Sequence, residues 1–189
     1  MPVVAVAEGA TFELTHKPGT LRTLEAPASF LLGRWENRDW RNVPGPFYGA
    51  GTDTCWSGRE FAPDHITYED DNWGEIVYRQ PTNPAETFAL LTGMWSDPFS
   101  GFGSDGHTHW TMQLIREWWS DRARLAAWID KAASAFSSDA GRDQDAAHSL
   151  RDYEAYLNNG LETYLVEYAF WLDNGRPATP DEPRPSLTR

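Results

Sequence analysis

The chain has 189 residues, of which 40% are hydrophobic, so it is long enough to fold around one hydrophobic core. Its formal net charge is −12, which argues against nucleic acids and anionic membrane surfaces as partners, because both are themselves negative. Cys55 is the only cysteine, which excludes an internal disulfide and any zinc or iron–sulfur site built from the cysteines of one chain. The composition therefore favours a basic protein or a small molecule as the partner.

The first part of the chain lacks long periodic patterns. Residues 1–30 are predicted to form an extended arm or edge strands, with a turn at Pro18-Gly19. The short apolar run at the N-terminus has no basic flank, and no later stretch is long enough to span a membrane, so we expect a cytoplasmic protein. From Gly33 to Trp110 the sequence is rich in glycine, proline and aromatic residues, which favours short strands and ordered loops.

A hairpin and a capped helix are predicted within this region. Residues 65–69 and 75–79 have the composition of two strands, and the residues between them are turn formers. Asn83 is placed to cap a helix that begins at Pro84, and Glu86 stands where it completes a capping box.

The last third of the sequence predicts two long helices. The first begins at the N-cap Thr111 and runs to about Ser137, and its apolar residues recur at helical spacing. The second begins near Asp143 and ends at Gly175, with a buried stripe at steps of three and four residues. Because this stripe continues through residues 158–160, we expect a kink there and not a chain reversal.

These elements predict an α+β fold. It contains a small, mainly antiparallel sheet with Gly/Pro-rich aromatic loops, and two long C-terminal antiparallel helices cover that sheet. Residues 1–175 are predicted to form a single domain, and the proline-rich residues 176–189 a flexible tail that becomes ordered only if it docks.

One segment of the sequence occurs twice. Residues 46–55 and residues 98–107 share a proline, a phenylalanine, two glycines and an aspartate at matching positions, and Cys55 aligns with His107. Recurrent turn chemistry explains this similarity without any shared function, because tight turns favour glycine and aspartate. Alternatively, the two loops meet and form one site.

If the two loops meet, their polar side chains provide candidates for catalysis, namely Cys55, His107, His109, Asp53 and Asp105. Cys55 would be a nucleophile activated by a histidine, and an aspartate would orient the imidazole ring. On a predicted strand His107 and His109 point to one side, and with Cys55 they are weak metal-ligand candidates. Their spacing matches no known metal motif, so neither a metal nor another cofactor is predicted. A lone cysteine before a tryptophan is also typical of a small core residue.

Tryptophans and the acidic residues of the hairpin turn are the candidates for ligand or partner binding. They are Trp56, Trp73, Trp110, Asp70, Asp71 and Glu75. Together with Glu69, these acidic residues could bind a cation or a basic partner loop, although a solvated turn also explains them. Tryptophan is a favoured anchor at interfaces, and negative charge speeds the encounter with a basic surface.

Several short segments resemble a group of uncharacterised short actinobacterial proteins. The similarity spans about residues 33–173 and is carried by Gly33–Asn37, Trp40–Ala50, Asp53–Arg59, Tyr78–Pro81, His109–Thr111, Trp118-Trp119 and Leu150–Leu172. Some members are loosely labelled ferredoxin, a label this sequence contradicts because one cysteine cannot hold a cluster that needs four ligands. The resemblance implies a bacterial cytosolic setting and assigns no functional residues.

Two functions are consistent with these patterns. The first is a non-catalytic acidic binding module, such as an immunity or antitoxin-like inhibitor of a basic protein partner. The alternative is a small-molecule enzyme or ligand-binding protein with a Cys/His/Asp site formed by the two similar Gly-rich loops. The position of Cys55 relative to His107 and His109 separates them, because the alternative needs all three around one cavity.

Overall fold

The computed structural model describes residues 13–15, 21–23, 26–69, 74–136 and 142–188. Within these ranges it contains three two-stranded antiparallel sheets, seven α-helices and two short 3-10 helices, which confirms the predicted α+β class. The strands are β1 (Glu13–Thr15), β2 (Leu21–Thr23), β3 (Tyr48–Gly49), β4 (Ile66–Tyr68), β5 (Glu75–Val77) and β6 (Phe102–Gly103). The helices are α1 (Gly58–Phe61), α2 (Pro84–Trp95), α3 (Gly106–His109), α4 (Met112–Ser120), α5 (Arg122–Phe136), α6 (Arg142–Asn158) and α7 (Leu161–Asn174).

The strands form pairs rather than one continuous sheet. β1 pairs with β2, β3 with β6, and β4 with β5, and all three pairs are antiparallel. The β4–β5 pair is the predicted hairpin, with Ile66 opposite Val77. Residues 70–73 of its turn and most of the predicted arm at 1–30 lie outside the described residues.

Helix α2 begins as its sequence predicts. Asn83 is the N-cap, and its side-chain oxygen accepts a hydrogen bond of 3.0 Å from the backbone N–H of Glu86. The Glu86 carboxylate accepts from the backbone N–H of Thr82 at 2.7 Å, one residue before the position that a capping box uses.

Each of the two predicted long helices is divided in two. The first is interrupted at Asp121, which ends α4, and the carbonyl of Asp121 accepts the N–H of Arg124 as α5 begins. The second is interrupted at Gly160, which has φ +115°, a value that glycine adopts without strain. Helix α6 packs against α5, and α7 packs against α4.

Two hydrophobic clusters meet at the hairpin. The larger joins α4–α7 to Ile76 and Tyr78, and the smaller joins α2 to Val77 and Phe47. Neighbouring residues of β5 therefore enter different clusters, as the alternation of side chains along a strand requires. No helix in the described part of the chain combines the length and apolar character needed to cross a bilayer.

The C-terminal segment lies against the helices. The proline-rich composition predicts a flexible tail at 176–189, and in the structure Arg184 contacts α7 while Ser186 contacts α4. The Arg184 guanidinium donates to Glu167 at 2.9 Å, that of Arg116 donates to the carbonyl of Ser186 at 2.9 Å, and Leu187 is buried. These contacts come from single residues and not from a repeated pattern, so they cannot be predicted from the sequence pattern.

Candidate functional site

The two similar segments meet through β3 and β6. Tyr48 lies opposite Gly103 and Gly49 opposite Phe102, and the N–H of Ala50 donates to the carbonyl of Gly101 at 2.8 Å. A Cβ at residue 101 would contact the carbonyl of Gly51, so glycine permits this close approach. The hypothesis that the two loops meet therefore agrees with the observed pairing.

The antiparallel register separates the polar ends of the two loops. We call residues 46–55 the first loop and residues 98–107 the second loop. The end of the first loop lies beside the start of the second, where the N–H of Asp53 donates to the Asp97 carboxylate at 3.2 Å. The end of the second loop lies beside the start of the first, where the N–H of Gly106 donates to the carbonyl of Pro46 at 3.0 Å. Cys55 and His107 consequently lie at opposite ends of the paired loops, and no catalytic Cys/His arrangement forms between them.

At the second loop, Asp105 contacts Tyr48 and His109. The hydroxyl of Tyr48 donates to Oδ1 of Asp105 at 2.5 Å, and Nε2 of His109 lies 3.1 Å from Oδ2. Burial opposes ionisation of Asp105, but these two hydrogen bonds outweigh it and lower the pKa of Asp105. The imidazole of His109 stacks on Trp35, with ring centroids 4.7 Å apart. The cluster links several aromatic residues to one carboxylate, and no thiol belongs to it.

His107 and His109 were predicted to point to one side of a strand, but they do not lie on a strand. His107 and His109 belong to the helical turn α3, where side chains two positions apart do not face each other. Nδ1 of His107 is buried, and none of the described residues forms a hydrogen bond with it. Among the residues that the structure describes, no group of three His, Cys, Asp or Glu side chains could hold a metal ion.

At the first loop, Cys55 occupies a tight turn. It is exposed, it has φ +53°, and its N–H donates to Oδ1 of Asp53 at 3.0 Å. Trp56 follows with φ +73°, and its ring packs against Tyr68 and Phe136. Asp53 therefore has a visible local role, which is to shape the backbone of this turn.

An acidic cavity of about 400 Å³ opens beside the first loop. Its wall is formed by the first loop, the β4–β5 hairpin, Asp39 and Phe99. Its lining contains four carboxyl residues, namely Asp39, Asp53, Glu69 and Glu75. One guanidinium, that of Arg41, lies within 2.5 Å of the carboxylates of Asp39 and Glu69. The carboxyl groups outnumber this cation, so the cavity has an excess of negative charge.

Glu75 has the most unusual environment among these residues. It is only 2% exposed, and its Oε1 accepts hydrogen bonds from the hydroxyl and the N–H of Thr54, the latter at 3.0 Å. Its Oε2 is buried and has no hydrogen-bond partner in the part of the chain that the structure describes. Burial raises the pKa of Glu75 to about 7, against the opposing effect of the hydrogen bonds from Thr54 and Thr52. Glu75 is thus a buried carboxyl group that changes charge near neutral pH.

One exposed apolar side chain lines the acidic cavity, and a second lies on a neighbouring chain segment. Phe99 lines it and is 68% exposed, and Leu32 is also exposed. The N–H of Leu32 donates to the carbonyl of Ser100 at 3.1 Å, which places Leu32 and Phe99 on neighbouring chain segments. We call these two residues the Phe99 patch. Exposed apolar residues next to a polar cavity are a common feature of binding surfaces.

Of the residues predicted to bind a ligand or partner, only Glu75 is seen to line the acidic cavity among the residues that the structure describes. Glu75 lies in the wall of the cavity, but Trp110 is buried against Trp35, and Trp56 is half-buried beside Tyr68. These two tryptophans support the core instead of forming surface anchors. Trp73, Asp70 and Asp71 lie outside the described residues.

Sequence reasoning missed two residues of this cavity, Asp39 and Phe99. Asp39 stands between arginine and tryptophan residues and belongs to no motif, and Phe99 appears only as part of the repeat. Glu69 was considered with the acidic residues of the hairpin turn as a binding site for a cation or a basic partner loop. This acidic cluster was the sequence pattern that pointed to the region of the cavity. The chain matches no family model, and neither a curated protein nor a solved structure is significantly similar to it.

Proposed function

We propose that this chain is a non-catalytic acidic binding module, and that its acidic cavity accepts a cationic side chain of a basic protein partner. The observation that carries this proposal is the buried Oε2 of Glu75, which has no hydrogen-bond partner among the described residues and belongs to a cavity lined by three further carboxyl residues. A buried polar atom without a partner is costly, so a ligand that pairs with it gains affinity.

The charges of the cavity favour a cation over other ligands. Arg41 pairs with Asp39 and Glu69, which leaves Asp53 and Glu75 without a cationic partner among the contacts described above. An arginine or lysine side chain would supply the missing positive charge, and Phe99 offers an apolar surface to its aliphatic stem. If the inserted side chain belonged to the active site of the partner, the module would act as an inhibitor of the immunity or antitoxin kind.

The positions of the candidate catalytic residues also favour binding over catalysis. Cys55 lies at one end of the paired loops, whereas His107 and His109 lie at the other. A nucleophile and its general base must be within hydrogen-bond reach, and this arrangement offers no such pair involving Cys55.

A titration with a tetra-arginine peptide, followed by backbone amide NMR, tests the proposal. We expect shifts concentrated at residues 49–53, 74–76 and 99, and weaker binding as salt is added. The matched peptide of citrulline, which has the same shape without charge, should not bind. In the double variant Asp53→Asn, Glu69→Gln the affinity should fall about tenfold or more.

Glu117→Gln provides the control variant, because Glu117 is an exposed carboxylate on α4, outside the residues that line the cavity. It removes one negative charge and should leave the affinity nearly unchanged. Shifts spread evenly over the acidic surface, or an equal loss of affinity in the control, would show that only the net charge matters and would refute the proposal.

A further inference from the structure

A second cavity lies between α7 and the C-terminal segment, and it is unrelated to the acidic cavity. It has a volume of about 520 Å³, and its lining includes Tyr164, Tyr168 and Trp171 on one side and Pro177 and Ala178 on the other. We call it the tail cavity. Its size falls in the range of cavities that hold small molecules.

The covering segment is held in place, so the tail cavity is not simply a gap beneath a loose end. The Arg184 guanidinium donates to Glu167 of α7 at 2.9 Å, and Leu187 is buried farther along the chain. The guanidinium of Arg116 on α4 also donates to the carbonyl of Ser186 at 2.9 Å. These contacts hold Arg184, Ser186 and Leu187 against the helices, and Pro177 and Ala178 line the cavity.

Aromatic rings form one wall of the tail cavity. Tyr164 and Tyr168 have ring centroids 5.8 Å apart with 10° between their planes, and Tyr168 and Trp171 have centroids 6.3 Å apart with 7°. The three rings follow one another at helical spacing on α7 and are almost parallel. Planar ligands pack favourably against such rings.

One of the residues that line the tail cavity carries a buried hydroxyl without a hydrogen-bond partner among the described residues. The hydroxyl of Tyr168 is buried and makes no hydrogen bond to any described residue, although the hydroxyl of the neighbouring Tyr164 donates to the carbonyl of Pro44 at 3.0 Å. Burial raises the pKa of Tyr168, so its hydroxyl keeps its proton and remains a donor. A buried donor that lacks an acceptor is destabilising, and a ligand that supplies the acceptor removes this penalty.

The charged groups at the edge of the tail cavity are already paired. Glu167 accepts from Arg184, and Arg184 also donates to the backbone carbonyls of Thr179 and Glu182. A charged ligand would have to compete with these contacts, whereas an uncharged one would not.

We propose that the tail cavity binds a planar, uncharged aromatic ligand that carries one hydrogen-bond acceptor, with its ring against the α7 aromatic residues and its acceptor on the hydroxyl of Tyr168. The site is distinct from the acidic cavity, so this proposal stands or fails independently of the proposed function.

Fluorine NMR with two probes tests the proposal. The first probe is para-fluoroacetophenone, which is planar and has a carbonyl acceptor, and the second is para-fluoroethylbenzene, which has a similar size and no acceptor. We expect the wild-type chain to bind the ketone about tenfold more tightly. Tyr168→Phe should abolish this preference while it retains binding of both rings, and Ala178→Trp, which fills the cavity, should prevent binding of both probes.

Thermal unfolding of the ligand-free Tyr168→Phe variant gives a second readout. Because the variant removes a donor without a partner, its Tm should equal or exceed that of the wild-type chain. A lower Tm would mean that the hydroxyl is already satisfied, and it would overturn the proposal. So would failure of the wild-type chain to bind the ketone, equal affinity for the two probes, or a ketone preference that survives Tyr168→Phe.

Discussion

The two copies of the repeated segment have nearly the same sequence pattern and opposite environments. Phe47 of the first copy is 4% exposed in the smaller core, whereas the matching Phe99 of the second copy is 68% exposed beside the acidic cavity. Asp53 of the first copy shapes a turn, whereas the matching Asp105 binds the side chains of Tyr48 and His109. The shared residues therefore set a similar local backbone, and the neighbouring elements decide what each side chain does.

The glycines of the two copies show why the backbone is the common feature. A Cβ at Gly49 would meet the carbonyl of Glu75, and a Cβ at Gly101 would meet the carbonyl of Gly51. Both positions are matched in the repeat, and both lie where backbone segments approach each other. The similarity thus reflects the packing of two loops around β3 and β6 and does not require a shared catalytic site.

The largest expected effect comes from substitutions at these glycines. Gly49→Ala and Gly101→Ala should each lower the free energy of unfolding by about 4 kcal/mol or more, because the added methyl group meets backbone atoms that cannot move alone. Gly51→Ala is the matched control, since it has open space around a Cβ and only the strain of φ +89°. It should cost about 1–2 kcal/mol in urea unfolding. Equal costs at all three positions would contradict the role given to close backbone approach.

The two phenylalanines should differ strongly despite their matching positions. Phe47→Ala should cost about 3–5 kcal/mol in urea unfolding, because it leaves a cavity in the smaller core. Phe99→Ala should change the stability by less than about 0.5 kcal/mol and should weaken the binding of the tetra-arginine peptide. A stable Phe99→Ala variant with unchanged peptide affinity would separate the Phe99 patch from the acidic cavity.

The sequence predicts the helices and the hairpin well because local patterns specify them. Asn83 caps α2 and Thr111 caps α4 as expected, and the stripe of α6 and α7 is buried at Leu150, Leu157 and Leu161. The break at Asp121 and the packing of the C-terminal segment were not predicted. They depend on contacts between residues far apart in the chain, and hydrophobic periodicity does not report such contacts.

The candidate site is less predictable for the same reason. That the two loops meet was one of two alternatives, but nothing local in the sequence specifies the antiparallel register that separates Cys55 from His107. Asp39 and Phe99 reach the cavity from segments that are distant in sequence. Asp39 belongs to no recognisable motif, and the repeat that contains Phe99 does not specify that its side chain is exposed at a cavity. Only Asp53, Glu69 and Glu75 had been singled out before the structure, and Asp53 only as part of a catalytic hypothesis.

The first copy of the repeat also differs from the second in that its Thr52 and Thr54 contact Glu75, a carboxyl group that titrates. The pKa of Glu75 is about 7 in the folded chain and about 4.5 in an unfolded one. The folded state therefore binds a proton more tightly, and this contribution to stability is present below about pH 4.5 and lost as the pH rises to about 7. The loss amounts to about 3 kcal/mol.

Glu75→Gln should remove this loss while the amide oxygen still accepts from Thr54. Burial lowers the pKa of His65, which acts in the opposite direction because its neutral form is favoured in the folded state. The informative quantity is therefore the difference in unfolding free energy between the variant and the wild-type chain, measured by urea at pH 5 and pH 8. The unfolding free energy of the variant relative to the wild-type chain should increase as the pH rises, and an unchanged difference would show that Glu75 does not titrate in this range.

A cation in the acidic cavity favours the ionised carboxylate, so the wild-type chain should also bind tetra-arginine more tightly at pH 8 than at pH 5. Glu75→Gln should flatten that dependence, because it removes the group that links proton release to cation binding.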